Sequence, residues 1–464
     1  MNLEKKIKNL FSDIPDLIIR KVKYNFFYVY VYYIETVASS NRINDFILSN
    51  ITNPNKIKGF KNILSAPNLK EINVEDIETY IYSGFAIVKY LNKIYALETK
   101  AELDRSISTP ELEQDLYGAK DALIENYQKN IGLIKRRIKS KHLKTSEFCI
   151  GRYTNTKVGL LYIDNICEEE LIQKCENLIN SIDTESLIDS SELKQYLVNE
   201  SKNIFPAVKL TERPDSIVNS LLEGKIVIIV DTSPFAIILP ALLADFINPM
   251  SDDYLNNINA NILKFIRMAC FFLTIFTPAL YIAVVNFNQE TIPANLLTSF
   301  ITQRQGVPFP AAIEAFFMLF ICEMLRESDI RFPNNYSSSI SILGALILGE
   351  AAVSASIVSP IMIIIIALTF ISSMIFSNVE LAGAIRAWRF ICLIVASFWG
   401  IYGVAISFIL LLVNICSHSS FGLPYTFPLA PFDMAYLKQT LFKSKRKNDN
   451  KRSKYLTKNI IKQR

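Results

Sequence analysis

Phe390–Cys416 reads FICLIVASFWGIYGVAISFILLLVNIC, twenty-seven residues without Asp, Glu, Lys or Arg. A hydrocarbon core of roughly 30 Å takes about 20 residues of helix, so this run is predicted to cross a membrane with length to spare for tilt. Met268–Val285 and Ile357–Phe376 precede it and are equally free of charge. The first half of the chain has no such run. The expected fold is therefore an α/β N-terminal module followed by an all-α multi-span transmembrane domain. The expected boundaries are two α/β subdomains at 1–104 and 105–250, a helical transmembrane domain at 251–437 and a basic tail at 438–464.

Charge gives the expected topology. The net charge is +5, and Lys438–Arg464 holds 11 Lys or Arg against one acid, Asp449. Basic residues close to a span stay on the cytoplasmic side, so the tail reads as a cytoplasmic anchor on anionic lipid rather than a nucleic-acid arm. Met1–Lys23 is charged and lacks the apolar core of a signal peptide. With both termini expected in the cytoplasm the number of crossings is even, and four is the expected count. Seven Cys without a C-x-x-C pair and only two His, His142 and His418, give no metal signature. No phosphate-binding glycine loop and no nucleophile–base set occurs, so neither a cofactor nor an enzyme activity is expected.

Within the module, periodicity places strands at Phe26–Ser39, Tyr80–Ser83, Phe85–Leu91 and Lys93–Glu98, the last two joined by a hairpin. Residues 110–140 repeat at three or four and predict one long helix ending in the basic cluster Lys135-Arg136-Arg137. Lys157–Asp164 and Lys225–Val230 read as buried strands, with helices at Arg42–Ile51, Glu168–Ile182 and Ser190–Asn199. Ala236–Ala244 is apolar but short and broken by Pro240, and reads as interfacial or re-entrant. Pro278 is expected to kink the Met268–Val285 span. Pro308–Leu325 and Ile340–Ser359 are further span candidates.

Carboxylates inside such a domain cost about 2.5–3.5 kcal/mol each on insertion scales, so Glu314, Glu323 and Glu350 require explanation. Glu323 lies three residues before Arg326, which predicts an i, i+3 bridge near the interface. Glu350 has no basic residue within ten positions on either side. It stands in Leu348-Gly349-Glu350-Ala351-Ala352-Val353-Ser354-Ala355, a stretch of little bulk. Small residues allow close helix packing and also leave room beside an aqueous path. Repeated by symmetry, Glu350 would form a ring that favours cations, with Leu346 and Val353 one turn either side as an apolar constriction. Gly349 completes this group of pore and gate candidates.

A series of motifs then falls in one order. Phe205-Pro206, Thr211-Glu212-Arg213-Pro214-Asp215, Leu221-Leu222-Glu223-Gly224 and Asp231-Thr232-Ser233-Pro234-Phe235 lead to Ser251-Asp252-Asp253-Tyr254 and Val307-Pro308-Phe309-Pro310. Leu325-Arg326-Glu327, Ile330-Arg331-Phe332-Pro333, Gly349-Glu350-Ala351-Ala352-Val353 and Ser420-Phe421-Gly422-Leu423-Pro424-Tyr425 follow. From about residue 105 to 432 the chain resembles the A subunit of the GerA-type spore germinant receptors. The resemblance implies a cytoplasmic module, a multi-pass domain in the spore inner membrane, a transporter-like B subunit, a lipoprotein C subunit, and a ring of A subunits, expected to be a pentamer, that conducts ions when nutrient binds. The family usually reads Arg-Gly-Pro-Arg where Tyr117-Gly118-Ala119-Lys120 stands here, Asp-Gly-Ser-Pro where Thr232 stands, and often Gln in place of Glu350.

Physical roles can be assigned to several of these motifs. Thr211 or Asp215 can cap the helix opened by Pro214. Glu212 and Arg213 are expected to pair with each other, and Asp231 reads as a cap or coupling contact where a strand ends. The expected function is a nutrient-gated channel subunit for monovalent cations. The alternative is a secondary transporter or transport-accessory subunit with its site at interrupted helices near Pro360, which would need an internal repeat that residues 260–416 lack.

Overall fold

The computed structural model describes residues 16–24, 27–52, 69–82, 84–91, 93–99, 109–110, 112–113, 115, 118–198, 203–331, 349–434, 437, 442–443, 452 and 456–458. They fall into two units, one built from 1–200, 207–241 and 445–464, the other from 201–206 and 242–444.

The first unit contains two five-stranded antiparallel sheets. β1 (Leu17–Tyr24), β2 (Phe27–Ile34), β3 (Lys70–Glu71), β4 (Phe85–Tyr90) and β5 (Lys93–Glu98) are ordered β1-β2-β4-β5-β3. Alternation assigns their faces: Tyr32, Ile34, Ile87 and Ala96 pack with Ile77 and Ile81, whereas Val31, Tyr33, Val88 and Leu97 pack with Ile43, Ile47 and Ile51. Covering both faces explains why these strands read as nearly continuous apolar runs. Of Tyr80–Ser83, expected as a strand, Tyr80–Tyr82 instead end the helix Ile77–Tyr82, where an i, i+4 isoleucine pair lies on the sheet, and Ser83 lies outside the described residues. The charged stretch Leu17–Tyr24 is an edge strand paired along its length with β2, with Lys21 held over the Tyr28 ring at 4.1 Å.

The second sheet, β6 (Leu143–Ile150), β7 (Thr156–Ile163), β8 (Lys209–Thr211), β9 (Ile226–Val230) and β10 (Ala236–Leu239), has the order β6-β7-β9-β10-β8. β10 corrects the re-entrant reading of Ala236–Ala244: its four residues are buried between β9 and β8. The long helix expected over 110–140 is only α1 (Tyr127–Arg137), and 118–126 runs outside it. Asn126 starts α1 by accepting the Lys129 N–H, while the Asn130 side chain takes the Ile124 N–H and so holds the preceding chain off the helix. With α2 (Glu169–Asn180), α3 (Ser190–Leu197) and α4 (Pro214–Leu222), α1 completes the unit. Ile131, Ile134, Ile217 and Leu221 close one sheet face over Leu161, Val227 and Ile229.

The second unit is helical: α5 (Asn257–Phe287), α6 (Ala294–Arg304), α7 (Ala311–Arg331), α8 (Pro360–Ser373) and α9 (Val379–Ser417), with residues 349–354 also helical. Among the described residues α5 and α9 are long and apolar enough to cross a membrane. α5 continues through Pro278. α9 is not the single tilted rod expected of Phe390–Cys416. Gly400 has φ +57° and ψ −133°, and a Cβ on Gly403 would stand 2.5 Å from the Val395 carbonyl oxygen. Eight residues apart in a continuous helix would be about 12 Å. The chain therefore folds back at Gly400 into two antiparallel arms, and the Cys392 and Ser407 side chains meet across them. Ile282 and Val285 of α5, Ala315 and Leu319 of α7, Met362 and Ile366 of α8 and Leu393 of α9 form the shared core.

Candidate functional site

Glu314 sits one turn into α7 and its side chain is fully buried. Its Oε2 accepts the Ser359 backbone N–H at 3.0 Å and the Ser359 hydroxyl at 2.9 Å. Ser359 is the N-cap of α8. The carboxylate thus does from a neighbouring helix what a capping acid does within one, satisfying an orphan donor beside the positive end of the dipole. Its other oxygen meets Arg304 Nη2, at the end of α6, at 3.4 Å. The segment so pinned is the break that follows the helical residues 349–354, where Ser356 takes φ +53°.

Glu323 corrects the expected bridge to Arg326. It accepts from Arg386 at 3.1 Å and from Arg389 at 2.5 Å, both on the first arm of α9. Arg326 instead donates to the Ser373 hydroxyl at 2.7 Å and lies over the Phe370 ring at 5.1 Å. Local i, i+3 pairing loses here because Arg389, 1% exposed, has a far larger need for an anion than Arg326 at the helix end. The two carboxylates therefore tie α7 to α8 and to α9. Sequence reasoning missed Arg304, Ser359, Arg386 and Arg389. Ser-Pro at 359–360 is a readable helix start, and Arg386 and Arg389 lie just outside the uncharged run that defined the last span.

Glu350 is exposed, and no ion pair or hydrogen bond to it occurs among the described residues. Gly349 has nothing within 4 Å of where a Cβ would be, and Val353 is half-buried. Leu346 lies outside the described residues.

In the α/β unit the expected Glu212–Arg213 pair is replaced by two separate anchors. Glu212 Oε1 accepts the backbone N–H groups of Leu112 and Glu113 at 2.7 and 2.9 Å. Arg213 forks onto Asp215 at 3.0 and 2.6 Å and reaches Asp115 at 3.3 Å. Adjacent residues in extended chain point apart, so Glu212 and Arg213 face different partners. Burial works to lower the Arg213 pKa, but Asp215 and Asp115 outweigh it and hold the guanidinium above its ordinary value. Arg213 is the N-cap position of α4, Pro214 follows at its first turn, and Asp215 Oδ1 accepts the Ser216 N–H. A Cβ on Gly118 would stand 2.3 Å from Arg213 Nη2, so the Gly118 loop closes directly on this cluster. Asp231 accepts the Tyr127 N–H at 3.2 Å and so sits at the start of α1. Of the basic cluster, Lys135 is buried against Asp16 at 2.6 Å and Arg137 pairs with Asp121 at 2.5 Å.

The model of the family described as Bacillus/Clostridium GerA spore germination protein matches residues 5–455. Spore germination protein KA of Bacillus subtilis is 39% identical over 360 residues, covering 78% of this chain and 66% of that protein, just under two thirds of its length. Spore germination protein GerQA of Bacillus cereus is 32% identical, over 92% of this chain and 86% of that protein. The crystal structure of the N-terminal domain of the A subunit of the Bacillus megaterium spore germinant receptor GerK3 aligns with 52% of this chain and 94% of that domain, at 26% identity and a TM-score of 0.41.

Proposed function

The chain belongs to the Bacillus/Clostridium GerA spore germination protein family, and from that premise we propose that it is the A-type subunit of a nutrient-sensing receptor whose copies line a gated path for monovalent cations. Its partners in this reading are a transporter-like B subunit, a lipoprotein C subunit and further copies of itself in a ring of five. The α/β unit and both termini lie in the cytoplasm, and the helical unit crosses the spore inner membrane. In this reading α5 and the two arms of α9 cross the bilayer, and two cytoplasmic ends require the total number of passes to be even.

The observation that carries the reading is Glu350: an exposed carboxylate on a small-residue helical turn, next to a chain break that the buried Glu314 holds in place. An acid at membrane depth faces water or a partner. Nutrient binding on a partner subunit can open the path only by favouring one arrangement of that break over another. Leu346 and Val353 supply the apolar constriction.

Cysteine substitution at 350 and 353 tests this in spores. Both positions should react with a hydrophilic thiol reagent after nutrient is added, and the adduct should slow ion release. Failure of both to react, in dormant and in triggered spores alike, would rule the conduction reading out.

A further inference from the structure

We propose that the α/β unit carries a recognition site for a short extended peptide of apolar, small and basic residues in that order, and that the chain's own tail fills it as a strap. Residues 445–464 belong to the α/β unit, although they follow the helical unit in sequence. Thr457 forms an antiparallel bridge with Cys167, and the Lys458 N–H donates to the Ile166 carbonyl at 3.0 Å. Leu456 and Thr457 are buried, at 1% and 3% exposure. Lys458 Nζ pairs with Glu169 in the first turn of α2. Arg452 Nε donates to the carbonyl of Leu222, the last residue of α4, at 2.7 Å. Gly224 lies against the same segment: its φ is +91°, and a Cβ there would stand 2.6 Å from the Leu456 carbonyl oxygen.

Main-chain pairing at residues 166 and 167 gives affinity without regard to sequence, and the side chains on the added strand give selectivity, as in other peptides bound by strand addition. The buried Leu456 supplies the apolar anchor. Thr457 follows with its methyl towards Gly224, where any larger residue would crowd the turn. The base comes next, onto an acidic helix start, Glu168-Glu169-Glu170, that would repel a second acid. Arg452 adds an anchor at the far helix end, because the last carbonyls of a helix have no partner within it. Gly224 closes the motif Leu221-Leu222-Glu223-Gly224, which thus both ends α4 and leaves room for the strap. Tethered by the chain, the tail docks at an effective concentration of about a millimolar, so a modest intrinsic affinity keeps the site filled. Arg452 and Leu456–Lys458 of the tail expected to rest on anionic lipid are therefore held by protein. This inference uses no part of the conduction reading, and its test reads docking alone.

The probe is a fluorescein-labelled peptide with the sequence of residues 450–464, added to the full chain purified in detergent. Leu456→Asp in the chain should empty the site, since a carboxylate is not held in a buried apolar position. Fluorescence anisotropy should then rise saturably, whereas the parent chain, whose own tail competes, should bind the peptide at least about tenfold more weakly. A peptide carrying Lys458→Ala should bind the emptied chain about threefold more weakly, the modest effect expected of an exposed ion pair. A scrambled peptide of the same composition should not bind. Equal binding of the scrambled peptide, equal binding by the parent and the folded Leu456→Asp chain, or no binding to that folded variant would overturn the proposal. Should the variant fail to fold, hydrogen exchange on the parent chain decides. The Lys458 amide should exchange at least about tenfold more slowly than in the free peptide, and exchange at the free-peptide rate would overturn the strap.

Discussion

Glu314→Ala probes the pin that holds the start of α8. The substitution removes the acceptor of two Ser359 donors, at 3.0 and 2.9 Å, and leaves Arg304 without its 3.4 Å neighbour. Hydrogen bonds between membrane helices average about 0.6 kcal/mol and reach about 1.7. The Ser359 hydroxyl bonds a charged acceptor, so about 1.5 kcal/mol is expected for it. The Ser359 N–H loses its acceptor inside a buried helix end, which costs a further 2 kcal/mol or so. Arg304 is one-fifth exposed and adds only about 0.5 kcal/mol because solvent screens it. The expected loss is therefore about 4 kcal/mol for Glu314→Ala. Ser359→Ala keeps the backbone donor bonded and should lose about 1.5 kcal/mol. Equilibrium unfolding of the single and double variants in bicelles gives the coupling, expected near 1.5 kcal/mol. A Glu314→Ala variant within about 0.5 kcal/mol of the parent, or a coupling smaller than that, refutes the pin.

Glu323→Ala should destabilise by about 3–5 kcal/mol, because it strands Arg389 at 1% exposure, whereas Arg389→Met should cost clearly less, since Arg386 still pairs Glu323 and two unsatisfied Arg389 nitrogens disappear. The same unfolding measurement ranks them, and the reverse order counts against a Glu323-centred cluster. Gly400→Ala should prevent the α9 arms from closing, because its φ is +57° and a Cβ would meet the Phe287 side chain at 2.8 Å; Gly383→Ala, whose nearest neighbour is the tip of Arg386 at 3.7 Å, is the tolerated control. Crosslinking of cysteines placed at 396 and 403 reads closure directly, and efficient crosslinking in Gly400→Ala would contradict the fold-back. In the α/β unit, burial pushes the Cys167 and Cys175 thiols up to about 12, with nearby Glu168 adding for Cys167. Exposed Cys149 should therefore react with iodoacetamide at pH 8 while those two stay silent until the chain unfolds. The sign follows for stability: the unfolded thiols ionise first as pH passes about 9, so the folded unit should weaken above that pH, and alkaline resistance equal to that at pH 8 would refute their burial.

Much of the α/β unit was legible because its strands obey short-range rules. Val158–Ile163 and Ile226–Val230 are continuous apolar runs, as expected of strands buried on both faces. The failures came where a partner distant in sequence made the choice. Leu17–Tyr24 carries charge and becomes a strand only because β2 offers eight residues of register. Ala236–Leu239 has the composition of a membrane-entering piece, and only its pairing with β8 and β9 makes it core. Residues 118–126 continue the helical period of α1, yet Asn126 and the Asn130 side chain hold them out of the helix.

The helical unit divides along the same line. Uncharged length picked out α5 and α9, the two described helices long and apolar enough to cross a bilayer. Length could not reveal the reversal at Gly400, because a helical hairpin with an apolar tip has the same composition as one long rod. Gly400, the glycine of α9 whose φ is positive, carries that information, and Gly403 supplies the close approach that follows. The three acids of the apolar segments were singled out by cost alone. It could not assign partners. Glu314 and Glu323 found theirs 45 and 66 residues downstream, at Ser359 and Arg389, and Arg389 lies where a scan for uncharged runs stops looking. Two of the three acids are thus structural ties that close α8 and α9 against α7. Glu350 has no such partner among the described residues, and it sits beside the break that one of those ties holds. Rigid ties on one side of a break and an exposed acid on the other concentrate any rearrangement of the helical unit into residues 349–359. Labelling rates should therefore change there on nutrient addition, while positions around Glu314 and Glu323 keep theirs.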